Sequence, residues 1–575
     1  MLRRTLIGLV IVTAAWMAWA LLTLPPGALT LPGLPRQPDG LTVMRGVYHV
    51  HTRASDGTGT VEEVAAAADR SGLAFVIVTD HGDAFRDPAP PRYYGRVLCI
   101  DATEISTTDG HYTALGLGRP PYPLAGEGRD VIEDVRRLGG FGSVAHPDSP
   151  RDALRWNEWD AQADGIEWLN ADSAWREFPA WQWFPALVRY AARPVASIAA
   201  GLRRPDSVLE RWDQLAQRHP IVALAASDAH ARFGFRRRPD PYEDNLYLKL
   251  PSYAAVFSTF SLNVELDRPP RGDAAADARA LLSAIRSGAV YTTIDGLARP
   301  GQLTFTAVSG SAAARQGAAL PLDRAVLIRA AANVPPGGAL VLIRNGEIVE
   351  QVDGGALRHA TDRPGVYRVE AWLPHAPGTR PVPWILSNPI YVGLRPVEPA
   401  IDTATSGLAL QPFPITAAWH VESDTSSRGA EHTLEGSPGE RVQELTFQLG
   451  HGAASPFVAL STRTVEAVRS ASSLAFVMSA SRPMRVSVQV RLDSGDSNLR
   501  WVRSVYADTM PRQVRVDLKD MRVAGSGARE GFDQARIQSL LFVVDTVNAR
   551  PGDSGTIRIG ELQVGTPAAS RPHGQ

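Results

Sequence analysis

The chain has 575 residues, 44% of them hydrophobic and 21% charged; such proportions exclude a disordered tail and a polytopic membrane protein. Lys plus Arg number 59 against 60 Asp plus Glu, a formal net charge of -1, so no global positive field exists to hold nucleic acid, and none is expected as a partner. The single cysteine, Cys99, excludes an intramolecular disulfide framework and a cysteine-based zinc site.

Arg3 and Arg4 precede a charge-free apolar run over residues 6–24, which Pro25 and Pro26 end. A helix of that length, rising about 1.5 Å per residue, nearly crosses a bilayer core of about 30 Å. Two arginines before the span keep the N-terminus cytoplasmic and export the rest. The run therefore predicts a signal anchor: a single pass through the cytoplasmic membrane with an extracytoplasmic body. A cleaved signal peptide, giving a secreted protein, is the alternative; Ala18-Trp19-Ala20 is a weak small-x-small cleavage site. Residues 1–40 are read as anchor plus a Pro/Gly-rich tether.

Residues 41–298 alternate short apolar strands with helices. Strand-like runs fall at 46–51, 74–79, 97–105, 112–117, 142–145, 166–169 and 221–226. Thr60-Val-Glu-Glu63 is a capping box that opens an Ala-rich helix, and further helices are predicted over 130–138 and 206–218. Buried strands alternating with helices imply a parallel α/β sheet or barrel, and about 250 residues suffice for one. From 299 to 397 the pattern turns to strands, with Asn345-Gly346 as a hairpin signal, and predicts a small immunoglobulin-like sandwich. Residues 398–575, opening on a linker near 396–406, predict a second, jelly-roll-like β domain.

The histidines are unevenly placed. His49 and His51 stand two apart on one strand and so share a face. Asp56 follows in Ser55-Asp56-Gly57. Asp80-His81, Glu104, His146 and Asp228-Ala229-His230 all end predicted strands, while His111 opens one. In parallel α/β folds the strand C-termini converge on one face, where functional groups gather. Several imidazoles and carboxylates gathered there need partners that a protein core does not supply, and divalent metals supply them. Mixed N and O ligands without thiolate suit zinc, manganese or iron. His219 and the six later histidines show no ligand spacing.

The set His49-Val-His51-Thr52, Ser55-Asp56-Gly57, Thr79-Asp80-His81, Glu104, His146-Pro147 and Ser227-Asp228-Ala229-His230 resembles the PHP (polymerase and histidinol phosphatase) superfamily. The resemblance covers about 250 residues. It implies a distorted seven-stranded β/α barrel holding two or three divalent metals. His49, His51, Glu104 and Asp228 would hold the first. Glu104, His111 and His146 would hold the second, with Glu104 bridging. Asp56, His81 and His230 would hold the third. Glu104, Asp56 and His230 are taken as catalytic, and Asp80 as orienting a neighbour rather than binding metal. Pro364-Gly365-Val366-Tyr367-Arg368-Val369-Glu370 and the stretch from Pro383 to Tyr391 resemble the small β domain of the carbaryl-hydrolase-like (CehA/McbA) branch. Val543-Val544-Asp545-Thr546 and Gly555-Thr556-Ile557 resemble galactose-binding-like jelly rolls.

The implied activity is hydrolysis by a metal-bridging hydroxide, with a phosphoesterase favoured and a small-molecule, lipid-linked or glycan-linked ester as substrate. Amide or carbamate-ester hydrolysis is the first alternative. A non-catalytic glycan- or lipid-binding surface protein with a degenerate barrel is the second. Arg151, Arg232, Arg236, Arg237 and Arg238 follow site loops and are candidates to clamp an anionic substrate, against the reading of solvated loops. Trp156, Trp159, Trp168, Trp175, Trp181 and Trp183 cluster in one stretch. They read as core packing, as an aromatic wall over the site, or as contact with the membrane surface.

Overall fold

The structure is a computed structural model that describes residues 2–34, 41–176, 180–234, 247–375, 380–394, 409–413, 418–435, 441–452, 454–463, 466–492, 499–524 and 532–566. Two compact units emerge: residues 1–83, 87–118 and 132–399 in the first, and 84–86, 119–131 and 400–575 in the second.

The first unit begins with α1 (Leu2–Leu22), which among the described residues is the one helix long and apolar enough to cross a membrane. Leu6, Ile7, Val10, Ile11 and Leu22 are exposed, so its surface is apolar where water would meet it. The α/β elements follow in order: β1 (Thr42–Val50), α2 (Val61–Arg70), β2 (Phe75–Val78), β3 (Val97–Asp101), β4 (Thr103–Thr107) and β5 (Gly110–Leu115). Next come α3 (Gly128–Arg137), β6 (Phe141–Ala145), β7 (Gly165–Asn170), α4 (Ala171–Arg176), α5 (Trp183–Ala192), α6 (Pro194–Gly201), α7 (Asp206–Ala216) and β8 (Val222–Ala226). The series closes with α8 (Tyr253–Phe257), β9 (Ser261–Leu266), α9 (Ala274–Arg286) and β10 (Val290–Thr293). The Thr60 hydroxyl accepts from the Glu63 amide while Glu63 accepts from the Thr60 amide, so α2 starts where its capping box directs.

Strand pairing makes a circuit. β1 pairs in parallel with β2, and β2 with β3. The chain bends at Ala102, so one predicted strand becomes β3 and β4, and a parallel bridge joins His81 to Glu104. β4–β5 and β5–β6 are antiparallel, and β6–β7 and β7–β8 parallel. A parallel bridge from Val50 to Ala229 returns the circuit to β1. The sheet is therefore mixed rather than parallel. The cause is local: Thr108-Asp109 is a tight turn with Gly110 at φ 113°, and so short a link returns the chain antiparallel.

Residues 299–397 do not stand apart from this framework. Ile385–Ser387 pairs with β10, and Gly365–Trp372 pairs with Ile385–Ser387, so these strands extend the sheet that holds β1 and β9. Asn345 and Gly346 take φ of 54° and 89° and join Ala339–Arg344 to Glu347–Asp353 as a hairpin. A four-stranded antiparallel sheet of Ala312–Arg315, Leu303–Ser309, Val326–Ala332 and Ala356–Thr361 completes the section. In the second unit, two six-stranded antiparallel sheets supply the β architecture. Phe476 on one and Phe542 on the other meet edge to face at 5.2 Å, which marks the apolar layer between them. The linker near 396–406 lies outside the described residues.

Candidate metal centre

Nine side chains converge at the strand ends. His49 and His51 leave the end of β1, Glu104 lies on β4, His111 on β5, His146 just after β6, and Asp228 and His230 after β8. His81 follows β2, and Asp56 sits in the loop after β1. Four overlapping groups of ligand atoms result: His51, Asp56, His81 and His230; His49, His51 and Glu104; His49, His146 and Asp228; His81, Glu104 and His111. In each group the ligand atoms lie within 4.8 Å of one another.

Glu104 is the hub and is buried. Its Oε1 stands 2.8 Å from His111 Nδ1 and 2.8 Å from His146 Nε2. Its Oε2 stands 3.1 Å from both His49 Nε2 and His51 Nε2, and 3.3 Å from His81 Nδ1. Asp228 Oδ1 lies 3.5 Å from His49 Nε2 and 3.4 Å from His51 Nε2. Asp56 Oδ1 lies 3.2 Å from His230 Nε2 and 3.8 Å from His81 Nε2. One carboxylate thus faces two sets of imidazoles through its two oxygens, and a third set closes around Asp56.

The backbone is bent to achieve this. His49, His146 and Asp228 take φ of 64°, 30° and 43°, in a region that non-glycine residues rarely occupy. Such conformations cost on the order of 1–3 kcal/mol each and persist where surrounding structure over-determines them. At His49 the pairing of β1 with β2 shifts register between Tyr48 and Val50, so His49 and His51 both turn inward.

The charges are mutually supporting. Burial works against a charged His49, but the carboxylates of Glu167, Asp228 and Glu104 outweigh it and raise its pKa well above the ordinary imidazole value. Burial likewise opposes ionised Glu104, yet His49, His111 and His146 hold it well below the usual carboxylate range. His146 is raised to about 9 and His230 to about 10, each against its burial, by Glu104 and Asp56 respectively. His81, with burial dominant, falls to about 4. Without cations, protons must hold this many donors together. His146 Nδ1 is buried without a hydrogen-bond partner, and His81 Nδ1, though 3.3 Å from Glu104 Oε2, makes no aligned hydrogen bond to it. An all-imidazole and carboxylate donor set with orphaned ring nitrogens fits divalent metal ions.

Several supporting residues escaped the sequence reading. Glu167, mid-strand on β7, has Oε1 2.5 Å from His49 Nδ1, while its Oε2 accepts from the His146 amide at 2.7 Å and from Asn170 Nδ2 at 3.0 Å. Asn170 Nδ2 also reaches Asp228 Oδ2 at 3.2 Å. A carboxylate inside the apolar run Ile166-Glu167-Trp168-Leu169 was the available signal, since a buried charge needs a partner. Arg176, at the end of α4, is paired with Asp172 and feels the negative charges of Asp228 and Asp56. Asp80, by contrast, was read from the sequence as orienting a neighbour: it accepts from the Thr52 amide at 2.7 Å, the Thr52 hydroxyl at 2.6 Å and the Ser55 hydroxyl at 2.6 Å, and so fixes the loop that carries Asp56. Glu167→Gln offers one acceptor oxygen where the His49 ring and the His146 amide each need one. Metal affinity is expected to fall roughly 10–100-fold, as for the loss of other outer partners of a ligand. Unchanged affinity in a metal titration would remove Glu167 from this role.

Of the candidate clamps, Arg232 donates to the Asp56 carbonyl at 3.2 Å and stands over the Tyr247 ring. Arg151 is exposed, and Arg236, Arg237 and Arg238 lie outside the described residues. His219 sits apart from the cluster, its Nδ1 3.0 Å from the Pro220 carbonyl. The tryptophans divide. Trp156 and Trp168 are core, Trp159 lies under Arg211, Trp183 packs on Phe233, and Trp181 is 58% exposed. The side chain of Trp175 lies outside the described residues.

No protein-family model and no curated protein matches the chain. Among solved structures, it is similar to a two-domain protein from Bacteroides vulgatus containing a predicted PHP-like metal-dependent phosphoesterase. The two share 14% identity over 63% of this chain and 98% of that one, with a TM-score of 0.27. It is also similar to a family 11 carbohydrate-binding module from Clostridium thermocellum in complex with a β-1,3-1,4-mixed-linked tetrasaccharide. That likeness spans 28% of this chain and 96% of the module at 11% identity, with a TM-score of 0.23. Both TM-scores are low, so the functional reading rests on the side chains of this chain.

Proposed function

We propose that the first unit is a PHP-type metal-dependent hydrolase, a phosphoesterase, held by α1 at the outer face of the cytoplasmic membrane. The observation that carries the reading is Glu104 facing two sets of imidazoles through its two oxygens, with a third set around Asp56. The strand circuit is read as the distorted seven-stranded barrel of that superfamily. His49, His51, Glu104 and Asp228 would hold one ion, Glu104, His111 and His146 a second, and Asp56, His81 and His230 a third. Bound divalent ions bring the pKa of coordinated water toward neutrality and polarise the scissile bond.

The chain's own residues do the remaining work. Glu104 sets the spacing of two sites. Glu167 and Asn170 fix the rings and carboxylate that meet there. Asp80, through Thr52 and Ser55, keeps Asp56 in place. Arg176, paired with Asp172, supplies positive charge that Asp228 and Asp56 feel, and such charge favours an anionic phosphoester over a neutral carbamate. The full chain, purified in detergent, is expected to carry two or three divalent ions and to hydrolyse aryl phosphates with added manganese or zinc. Turnover of aryl carbamates in preference would move the reading to the carbaryl-hydrolase-like branch. Metal with no hydrolysis of any ester would favour the binding-protein reading.

A further inference from the structure

The C-terminal end of α1 does not hang free. The Trp19 ring lies under the Arg189 guanidinium at 4.7 Å, and Arg189 donates to the Thr23 hydroxyl at 2.6 Å. Arg193 donates to the Pro25 carbonyl at 3.0 Å. Helices α5 and α6 thus grip the point where the apolar helix ends, and Trp181 just before α5 is exposed. Aromatic rings of this kind sit at headgroup depth in membrane proteins.

Between α1, α5 and α6 lies a cavity of about 300 Å³. Trp19, Thr23, Trp181, Arg189, Ser197 and Arg203 help to line it, and among its described lining residues none is acidic. Two of its polar atoms, Arg189 Nε and Ser197 Oγ, are buried without a hydrogen-bond partner. A buried donor left unpaired is unfavourable, more so for a charged group, so these two atoms call for an acceptor. A phosphate diester fits the chemistry of this lining: it is anionic, its oxygens accept from guanidinium and hydroxyl groups, and a bilayer presents it at this depth.

We infer that this cavity binds the phosphate-bearing headgroup of a membrane lipid, in the leaflet facing away from Arg3 and Arg4. The site rests on the reading of α1 as an uncleaved anchor. It also locks the first unit onto the bilayer, because the ligand bridges the anchor and the folded body. Arg203 lines a second cavity of about 520 Å³ as well, whose wall includes Asn170, the partner of Asp228.

The test uses the full chain in detergent, titrated with phosphatidylglycerol and read by native mass spectrometry. The intact mass reports first whether α1 is present, which separates failure of the anchor from failure of the site. Wild type is expected to hold one lipid, and Arg189→Met and Ser197→Val to bind it about tenfold more weakly or worse, the worth of one charge-assisted hydrogen bond. Ser197→Val, which breaks none of the contacts that grip α1, should keep the wild-type unfolding temperature, and a control at the exposed Arg151 should bind as wild type. Equal lipid binding by wild type and both variants would overturn the site. Displacement of the lipid by glycerol 3-phosphate at matching concentration would also overturn it, by assigning the cavity to a soluble phosphate.

Discussion

Glu104→Ala is expected to abolish hydrolysis and to empty two metal positions together. Glu104 Oε1 meets His111 and His146 at 2.8 Å, and Oε2 meets His49 and His51 at 3.1 Å. Removing an outer partner of a ligand costs about 10–100-fold in affinity or activity, so removing a shared ligand should exceed that, on the order of 10³-fold in turnover. Elemental analysis should show the ion content falling by more than one per chain. The fold should persist under conditions that unfold neither protein, because the imidazoles left behind take up protons or water. Glu104→Gln separates charge from shape: it keeps one acceptor oxygen and should fail nearly as badly. Normal metal content with normal turnover in either variant would end the hydrolase reading.

Arg368→Met is expected to destabilise the first unit by about 3–5 kcal/mol, the usual result of stripping one partner from a buried ion pair. Arg368 is 2% exposed and donates to Asp213 through Nε and Nη2 at 2.8 Å each, and to Glu370 through Nη1 at 2.6 Å. Arg204 completes the cluster with two bonds to Glu370 at 2.9 and 3.0 Å. Asp213 lies on α7 and Arg368 on the strand Gly365–Trp372, so the network ties the α/β framework to residues 299–397. Methionine would leave the Asp213 carboxylate buried beside Trp212. Urea unfolding of the full chain measures the effect, and a loss below about 1 kcal/mol, the worth of a surface pair, would refute the buried role. The pH dependence has a defined sign. Burial raises the Glu370 pKa, but Arg368 and Arg204 outweigh it and lower it below the ordinary value. Its contribution is therefore complete above the unfolded carboxyl pKa and is lost as pH falls through the depressed one.

Particular residues show how far the sequence could be read. His49 and His51 share a strand face by alternation alone, and the Thr60–Glu63 box named its own helix start. Glu167 was legible in principle, as a carboxylate inside an apolar strand, but nothing local says that its partners are His49 and His146. The direction of β5 turned on a two-residue turn. The continuity of Ile385–Ser387 with β10 joins segments some ninety residues apart, and no local pattern encodes that pairing.

By itself the sequence determined the chemical inventory: which imidazoles and carboxylates exist, that they stand at the ends of apolar strands, and that one apolar helix precedes them. Only the tertiary structure decided which of those groups share an oxygen, which outer partners orient them, and that the end of α1 is gripped by Arg189 and Arg193. Alternation and capping act over a few residues and are written in order along the chain. The shared contacts of Glu104 and Arg368 depend on strand register and helix packing, which are set by burial of surfaces far apart in that order.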